Sequence, residues 1–200
     1  MSNLPSICLR PLIGVVVILT LTACASSPSD EKDSSERLLA SPPPEWKLIY
    51  RLNNVSSRLT EFVPQIESAD SWSTKLSFES FLDLADIDPI QVLLTEVEQD
   101  KKNCSFVQHF NLYSGLENNY PSSVRLFQCG KRLETETGEV KMIKAIQGKD
   151  YLYVITLLKK IDAFEISQPE IQEKEIASWS TYLRGISLCD VKDISHPCPV

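Results

Sequence analysis

Large apolar side chains recur at every second position along several runs of the chain after residue 45. The run from Trp72 to Phe78 places Trp, Thr, Leu and Phe on one face and Ser, Lys and Ser on the other. This alternation is typical of an antiparallel strand with one covered face and one face in water. The runs Trp46–Leu52 and Arg58–Val63 are expected to be strands as well, the second of them ended by Pro64. A sheet is therefore the main element of the predicted fold.

The second half of the chain contains four apolar stretches joined mostly by short segments. The connections Thr135–Gly138 and Gly148–Asp150 carry turn residues, and this spacing predicts a meander of adjacent hairpins. The segment Ser114–Ser123 is longer and polar, so we expect it to be an exposed loop. The four predicted strands are Ser105–Tyr113, Val124–Arg132, Val140–Gln147 and Tyr151–Ile161.

Signals for the start of a helix occur at two places. The pair Asp88-Pro89 predicts a capped helix that runs to Lys102. The segment Ser167–Glu170 is typical of a capping box and predicts a second helix that ends at Gly185. The two helices lie at either end of the meander and are expected to cover opposite faces of it. The predicted fold is therefore α+β, an antiparallel sheet with helices packed on both faces, in a single domain over residues 45–200.

The order of these elements resembles the PsbP-like fold. The similarity lies in Thr60–Pro64 leading into the strand at Ser71-Trp72, and in the hairpin Lys144–Gly148 before Tyr151–Tyr153. This fold is shared by the extrinsic photosystem II subunit and the Ran-binding Mog proteins, and the resemblance covers about residues 46–188. It implies a PsbP-like sandwich. It implies no functional residue, because the members of the group bind unrelated partners.

The amino terminus has the pattern of an export signal. One basic residue, Arg10, precedes the apolar run Leu12–Leu21, which is shorter than the roughly 20 residues that a membrane-spanning helix needs. The run ends in Leu21-Thr22-Ala23-Cys24, which resembles the lipobox of bacterial lipoproteins. The resemblance implies a signal peptide over residues 1–23 and a lipid-modified Cys24 that anchors the protein in the lipid bilayer. Two alternatives stay open, an uncleaved anchor and an ordinary signal that leaves Cys24 as a free thiol.

Residues 24–44 are expected to form a disordered tether between the lipid and the domain. The segment is rich in Ser, Pro and charged residues and has no aromatic residue, so it has too little apolar surface to fold. Ala25, not Asp, follows Cys24. By resemblance to lipoprotein sorting in enteric bacteria, this residue implies transport to the outer membrane, with the domain facing the periplasm.

Four cysteines belong to the predicted domain: Cys104, Cys129, Cys189 and Cys198. An even number of cysteines in an exported domain indicates two disulfides. Three pairings exist and the sequence does not decide strictly among them, but we favour Cys104–Cys129 and Cys189–Cys198. A metal site that adds Asp190 and His196 to the last two cysteines is the alternative. Because the paired CxxC and HxxxH ligands of a closed zinc site are missing, no metal or cofactor is predicted.

The charge and the motifs of the chain argue against several functions. The formal net charge of −7 argues against nucleic acid as a partner, because binding DNA or RNA depends on Lys and Arg that neutralise phosphates. No GxSxG, HExxH, Walker or GxGxxG motif occurs. His109 lies within a predicted strand, where a residue on the sheet face is favoured over a catalytic base, and His196 lies in the tail. We therefore favour a protein that is not an enzyme.

Binding is the function that the sequence favours. The first hypothesis is an accessory or assembly subunit that binds another protein of the cell envelope, with Asn119, Tyr120 and Pro121 of the polar loop as the candidate contact. The second hypothesis is a periplasmic binder of a small apolar ligand or lipid, held between helix and sheet. A hydrolase that uses His109 is the third and least favoured.

Overall fold

The computed structural model describes residues 34–165 and 171–199, and these residues form nine strands and two α-helices. The predicted signal peptide, Cys24 and the predicted capping box at residues 167–170 lie outside the described residues. Within them, no helix is long and apolar enough to cross a membrane. The elements are β1 (Glu36–Leu39), β2 (Trp46–Asn53), β3 (Ser57–Pro64), β4 (Thr74–Phe81), α1 (Pro89–Asn103), β5 (Val107–Glu117), β6 (Tyr120–Cys129), β7 (Gly138–Gln147), β8 (Leu152–Ile161), α2 (Glu173–Gly185) and β9 (Ser187–Asp190).

Seven of the strands form one antiparallel sheet in the order β2-β3-β4-β8-β7-β6-β5. The predicted meander is present, because β5, β6, β7 and β8 are neighbours in the order of the chain. The strand β8 joins this meander to the first three strands by pairing with β4. The prediction of an α+β fold built on an antiparallel sheet is confirmed.

Alternate side chains of β7 belong to two separate clusters of buried apolar residues. Met142 and Ile146 pack with Leu183 of α2, whereas Ile143 packs with Leu93 of α1. Successive side chains of a strand point to opposite sides of the sheet. The two helices therefore contact different sets of strand side chains.

The start of α1 follows the sequence prediction. The Asp88 carboxylate accepts a hydrogen bond from the backbone N–H of Ile90 at 2.7 Å, and Pro89 is the first helical residue. Both features satisfy or remove donors that a helix start otherwise leaves without partners. Lys101 and Lys102 lie in the last turn, where positive charge is favourable.

The second helix begins later than the sequence predicts. It starts at Glu173, and the residue before it, Gln172, makes no capping hydrogen bond with its side chain. The buried side chains of α2 are Trp179, at the centre of the helix, and Leu183, in its last turn. Packing of these two side chains against the sheet stabilises the helix. The predicted end at Gly185 is confirmed.

The predicted disordered tether is wrong for the segment that forms β1. This strand pairs antiparallel with β9, near the carboxyl end of the chain, and makes a two-stranded ribbon. The carboxylate of Glu36, which is 4% exposed, accepts hydrogen bonds from the backbone N–H groups of Lys149 at 2.6 Å and Asp150 at 3.2 Å. A Cβ atom at Gly148 would lie 2.6 Å from Glu36 Oε2, so this close approach requires glycine. The turn between β7 and β8 therefore holds β1 in place.

Candidate functional site

A groove of about 630 Å³ lies between α1 and the strands β4, β7 and β8. Val92 and Thr95 of α1 form one wall, and Leu84 and Ile87, which precede the helix, line the end nearest its start. The groove opens on the side of the sheet that α1 faces. The apolar side chains of its floor are Phe81, Ile143, Leu152, Val154 and Leu158.

The groove exists because α1 covers only part of this side of the sheet. The helix packs mainly on β5, β6 and β7, where Leu93 and Val97 are buried against Phe127 and Ile143. The strands β8 and β4 lie beyond this contact in the sheet order. Their side chains therefore stay partly open to the solvent, and Val154 is only half-buried.

Each of the three cationic side chains that line the groove is paired with a carboxylate. Lys75 and Lys141 come from β4 and β7, and Arg132 lies between β6 and β7. Because each cation is already paired with a carboxylate, it would bind an anionic ligand less tightly than an unpaired cation would. The pairs are Lys75–Glu61 at 2.6 Å, Lys141–Asp100 at 2.9 Å, Lys141–Glu96, Arg132–Asp100 at 3.1 Å and Arg132–Glu139 at 2.7 Å.

Asp100 is a buried carboxylate that joins α1 to the sheet. Burial raises its pKa, and the charges of Lys141 and Arg132 oppose this effect. Lys141 of β7 and Arg132 together compensate the buried charge of Asp100, so these ion pairs link α1 to the sheet. The sequence analysis missed it because Asp100 and Lys141 are 41 residues apart and the lysine lies within an apolar strand.

Glu79 is the carboxylate of the groove that has no ion pair among the described residues. It lies on β4, half-buried, and accepts a hydrogen bond from Ser77 Oγ at 3.3 Å. Burial raises the pKa of Glu79, and the neighbouring carboxylates Glu61 and Glu96 raise it further. An acid in this position favours a cation or a hydrogen-bond donor as its partner.

The structure contains both disulfides that the sequence favoured. The Cα atoms of Cys104 and Cys129 are 5.6 Å apart, and those of Cys189 and Cys198 are 4.9 Å apart. The first disulfide connects the end of α1 to β6, and the second connects β9 to the tail.

The alternative metal site is not formed. Two of its four ligands, Cys189 and Cys198, are used in the second disulfide. Nδ1 of His196 lies 2.9 Å from the Asn118 carbonyl oxygen, and Asp190 pairs with Lys149 at 3.4 Å. No group of three or more metal-binding side chains occurs in the described ranges.

The predicted contact loop is a tight hairpin. The strand β5 ends at Glu117 and β6 begins at Tyr120, so the turn is the pair Asn118-Asn119, with φ of 48° and 62°. Two successive positive φ values give the turn that matches the twist of a hairpin, and asparagine adopts them readily. Tyr120 is 2% exposed and stacks on His196 with ring centroids 4.0 Å apart. The expectation that Tyr120 is exposed is therefore wrong, whereas Asn119 and Pro121 are exposed.

His109 lies on β5 and is exposed, in the predicted strand. Its Nδ1 atom is 2.7 Å from a terminal nitrogen of Arg125. Because a guanidinium only donates, Nδ1 accepts this hydrogen bond. Partial burial and the charge of Arg125 both lower the pKa of His109. The nitrogen that a general base would use is therefore occupied by Arg125.

No protein-family model matches the sequence, and no curated protein matches it. A solved structure of a protein of unknown function from Pseudomonas aeruginosa is similar, with a TM-score of 0.47 and 11% identity over 78% of this chain and 99% of that one. A mutant of the protein Mog1 has a TM-score of 0.41 and 10% identity over 78% of this chain and 97% of that one. LpqN, involved in cell envelope biogenesis of Mycobacterium tuberculosis, has a TM-score of 0.38 and 12% identity over 80% and 86%. Similarity at this level says nothing about what this chain binds.

Proposed function

We propose that this chain is a lipid-anchored protein of the cell envelope whose domain binds small apolar molecules in the groove between α1 and the sheet. The observation that carries the proposal is the groove of about 630 Å³ with its apolar floor. Sites for small molecules have volumes of roughly 300–1,000 Å³ and are lined mostly by apolar side chains. The proposed location, at the periplasmic side of the outer membrane, rests on the lipobox pattern and on Ala25. Lipid modification of Cys24 stays a prediction.

The side chains of the groove favour an apolar body in the ligand. The floor offers aliphatic and aromatic surface from Phe81, Val154 and Leu158. Covering such surface stabilises a complex by roughly 25 cal/mol per Å² of apolar area removed from water. The cations at the rim are already paired, so an anionic ligand would have to compete with Glu61, Glu96 and the other carboxylates for them.

The substitution Thr156→Trp is expected to block the groove. Thr156 lies on β8 in the middle of the floor, and an indole there would occupy the volume that a ligand needs. We expect the affinity for dodecanol, used below its solubility limit, to fall about tenfold or more, which corresponds to roughly 1.4 kcal/mol. Isothermal titration calorimetry of the purified domain measures this change.

The matched control for this experiment is Leu94→Trp. Leu94 is on α1, is 37% exposed and does not line the groove, so it accepts the same side chain without entering the groove. The affinity of this variant for dodecanol should equal that of the wild type. The proposal fails if the wild type does not bind dodecanol, or if both variants bind it equally well while their circular dichroism spectra stay native.

The edge strand β5 favours a second function, binding of another envelope protein. This strand is the last in the sheet order, and no described strand pairs with its outer side. It exposes large apolar side chains, among them Phe110 and Leu116, the latter 64% exposed. An extended segment of a partner can add to such an edge through backbone hydrogen bonds.

Site-specific cross-linking tests this second function. A photoreactive residue at position 116 is expected to form one adduct of defined mass in intact cells. The same residue at position 66 should form none, because Ile66 is 96% exposed but lies between β3 and β4. Equal adducts from both positions, or none from either, would contradict a partner at β5.

A further inference from the structure

We infer that the ligand of the groove is an organic cation, an apolar body that carries a protonated amine, and that the ammonium group binds Glu79. This inference deepens the proposed function and rests on it. It assigns a role to the one carboxylate of the groove that has no ion pair in the described ranges.

Glu79 has apolar neighbours along the sheet, in addition to the charged side chains of Glu61, Glu96 and Lys75. On the sheet, Glu79 pairs with Val154, and the next pair with the same orientation is Phe81 with Leu152. Both pairs line the groove. An ammonium group at the Glu79 carboxylate would therefore leave the apolar body of the ligand over these side chains, toward the end of the groove lined by Leu84.

The charges around the groove favour a cation over an anion. The lining of the groove has three cations and three carboxylates, so it carries no net charge, but every cation is already paired with a carboxylate other than Glu79. Each cation has at least one carboxylate within hydrogen-bond distance, and Glu79 has only the Ser77 hydroxyl. The carboxylates that line the groove are Glu61, Glu79 and Glu96, and the cations are Lys75, Arg132 and Lys141.

A metal ion fits this position less well than an organic cation does. Calcium takes roughly six to eight oxygen ligands, and carboxylates held in ion pairs with lysines are poor sources of them. No described group of side chains has the arrangement of a metal site. An ammonium group needs only one carboxylate and gains the apolar contacts of its body.

The titration of Glu79 gives the binding a pH dependence with a definite sign. Glu61 from β3, Glu96 from α1 and Lys75 from β4 face this carboxyl group, and burial together with the two acids raises its pKa above the ordinary 4.5. Only the ionised carboxylate attracts an ammonium group. Affinity for the cation should therefore be complete above the raised pKa and be lost as the pH falls through it.

The experiment compares three probes of one chain length: dodecylammonium, dodecanol and dodecanoate, each below its aggregation concentration. We expect the wild type to bind dodecylammonium about tenfold more tightly than dodecanol at pH 7, and dodecanoate most weakly. Glu79→Gln should reduce the preference for dodecylammonium over dodecanol to about threefold or less. The control Glu98→Gln removes an exposed carboxylate of α1 outside the groove and should leave the preference as in the wild type.

The possible outcomes separate this inference from the proposed function. If dodecanol binds and dodecylammonium binds no more tightly, the inference is wrong and the apolar groove stands. The inference is also wrong if the preference survives in Glu79→Gln, because another group then provides it. If none of the three probes binds, both proposals fail. A loss of dodecylammonium affinity at lower pH that is larger in the wild type than in Glu79→Gln supports the inference.

Discussion

Replacing Lys144 with alanine is expected to lower the free energy of unfolding by about 3–5 kcal/mol. The side chain of Lys144 is 0% exposed, and its Nζ atom donates to the carbonyl oxygens of Leu183 at 2.9 Å and Ile186 at 2.6 Å. The same atom lies 2.5 Å from Glu117 Oε2. Alanine would remove the Lys144 partner of the Ile186 carbonyl oxygen and of the Glu117 carboxylate, and one of the two donors to the Leu183 carbonyl oxygen. This loss is a large part of the roughly 5–15 kcal/mol that stabilises a typical domain.

Urea unfolding followed by tryptophan fluorescence measures the effect of Lys144→Ala. The control is Lys75→Ala, which removes the partly exposed pair with Glu61 and should cost roughly 1 kcal/mol or less. A further variant, Lys144→Met, keeps most of the buried aliphatic part of the side chain. Its decrease in the free energy of unfolding should lie between those of Lys144→Ala and Lys75→Ala. The interpretation is wrong if Lys144→Ala destabilises the protein no more than Lys75→Ala does.

Removing the disulfide between Cys104 and Cys129 is expected to be the second large effect. The two residues are 25 positions apart, and a crosslink over this distance restricts the unfolded chain by roughly 3.5 kcal/mol. Both cysteines are buried, so the double substitution to alanine also leaves a small void beside α1. The free energy of unfolding of this variant should fall by about 3–4 kcal/mol in urea under non-reducing conditions.

The disulfide between Cys189 and Cys198 provides the comparison. It spans 9 positions, so its removal should cost about 2.6 kcal/mol in the same model. Adding a reducing agent should destabilise the wild type and leave the variant that lacks all four cysteines unchanged. The interpretation is wrong if removing the second disulfide lowers the free energy of unfolding more than removing the first does. The entropy of loop closure in the unfolded chain would then not explain the relative contributions of the two disulfides.

Strands with a clear alternation could be predicted from the sequence, whereas β1 could not. The alternation of apolar and polar residues from Trp72 to Phe78 is enough to assign each side chain to one face of a strand. Most of this run lies in β4. The strand β1 has four residues, and its partner β9 is about 150 positions away. No local sequence pattern therefore predicts this pairing. Pro42, Pro43 and Pro44 after it made the whole segment resemble a disordered tether.

From the sequence, a groove between a helix and the sheet could be predicted only as a general possibility. Its floor comes from strands that the meander predicted, but the neighbours of Glu79 belong to β3 and α1, which only the folded chain brings together. The hairpin before Tyr120 is a different case. The pair Asn118-Asn119 is a local signal for a turn with two positive φ values, and the polar residues around it concealed that signal.

The ribbon of β1 and β9 determines how the domain responds to a mechanical force applied at its amino-terminal side. Among the described residues, such a force first loads the hydrogen bond from the backbone N–H of Val191 to the Ser35 carbonyl oxygen, and then the pair of Glu36 with Asp190. The load opens the backbone pairs one after another, from Glu36–Asp190 to Leu39–Ser187, and never strains all of them together. The larger sheet shares no strand pairing with the ribbon, but the turn between β7 and β8 donates two backbone hydrogen bonds to the Glu36 carboxylate. Opening the ribbon therefore also requires breaking the hydrogen bonds between Glu36 and that turn, so the larger sheet carries part of the load.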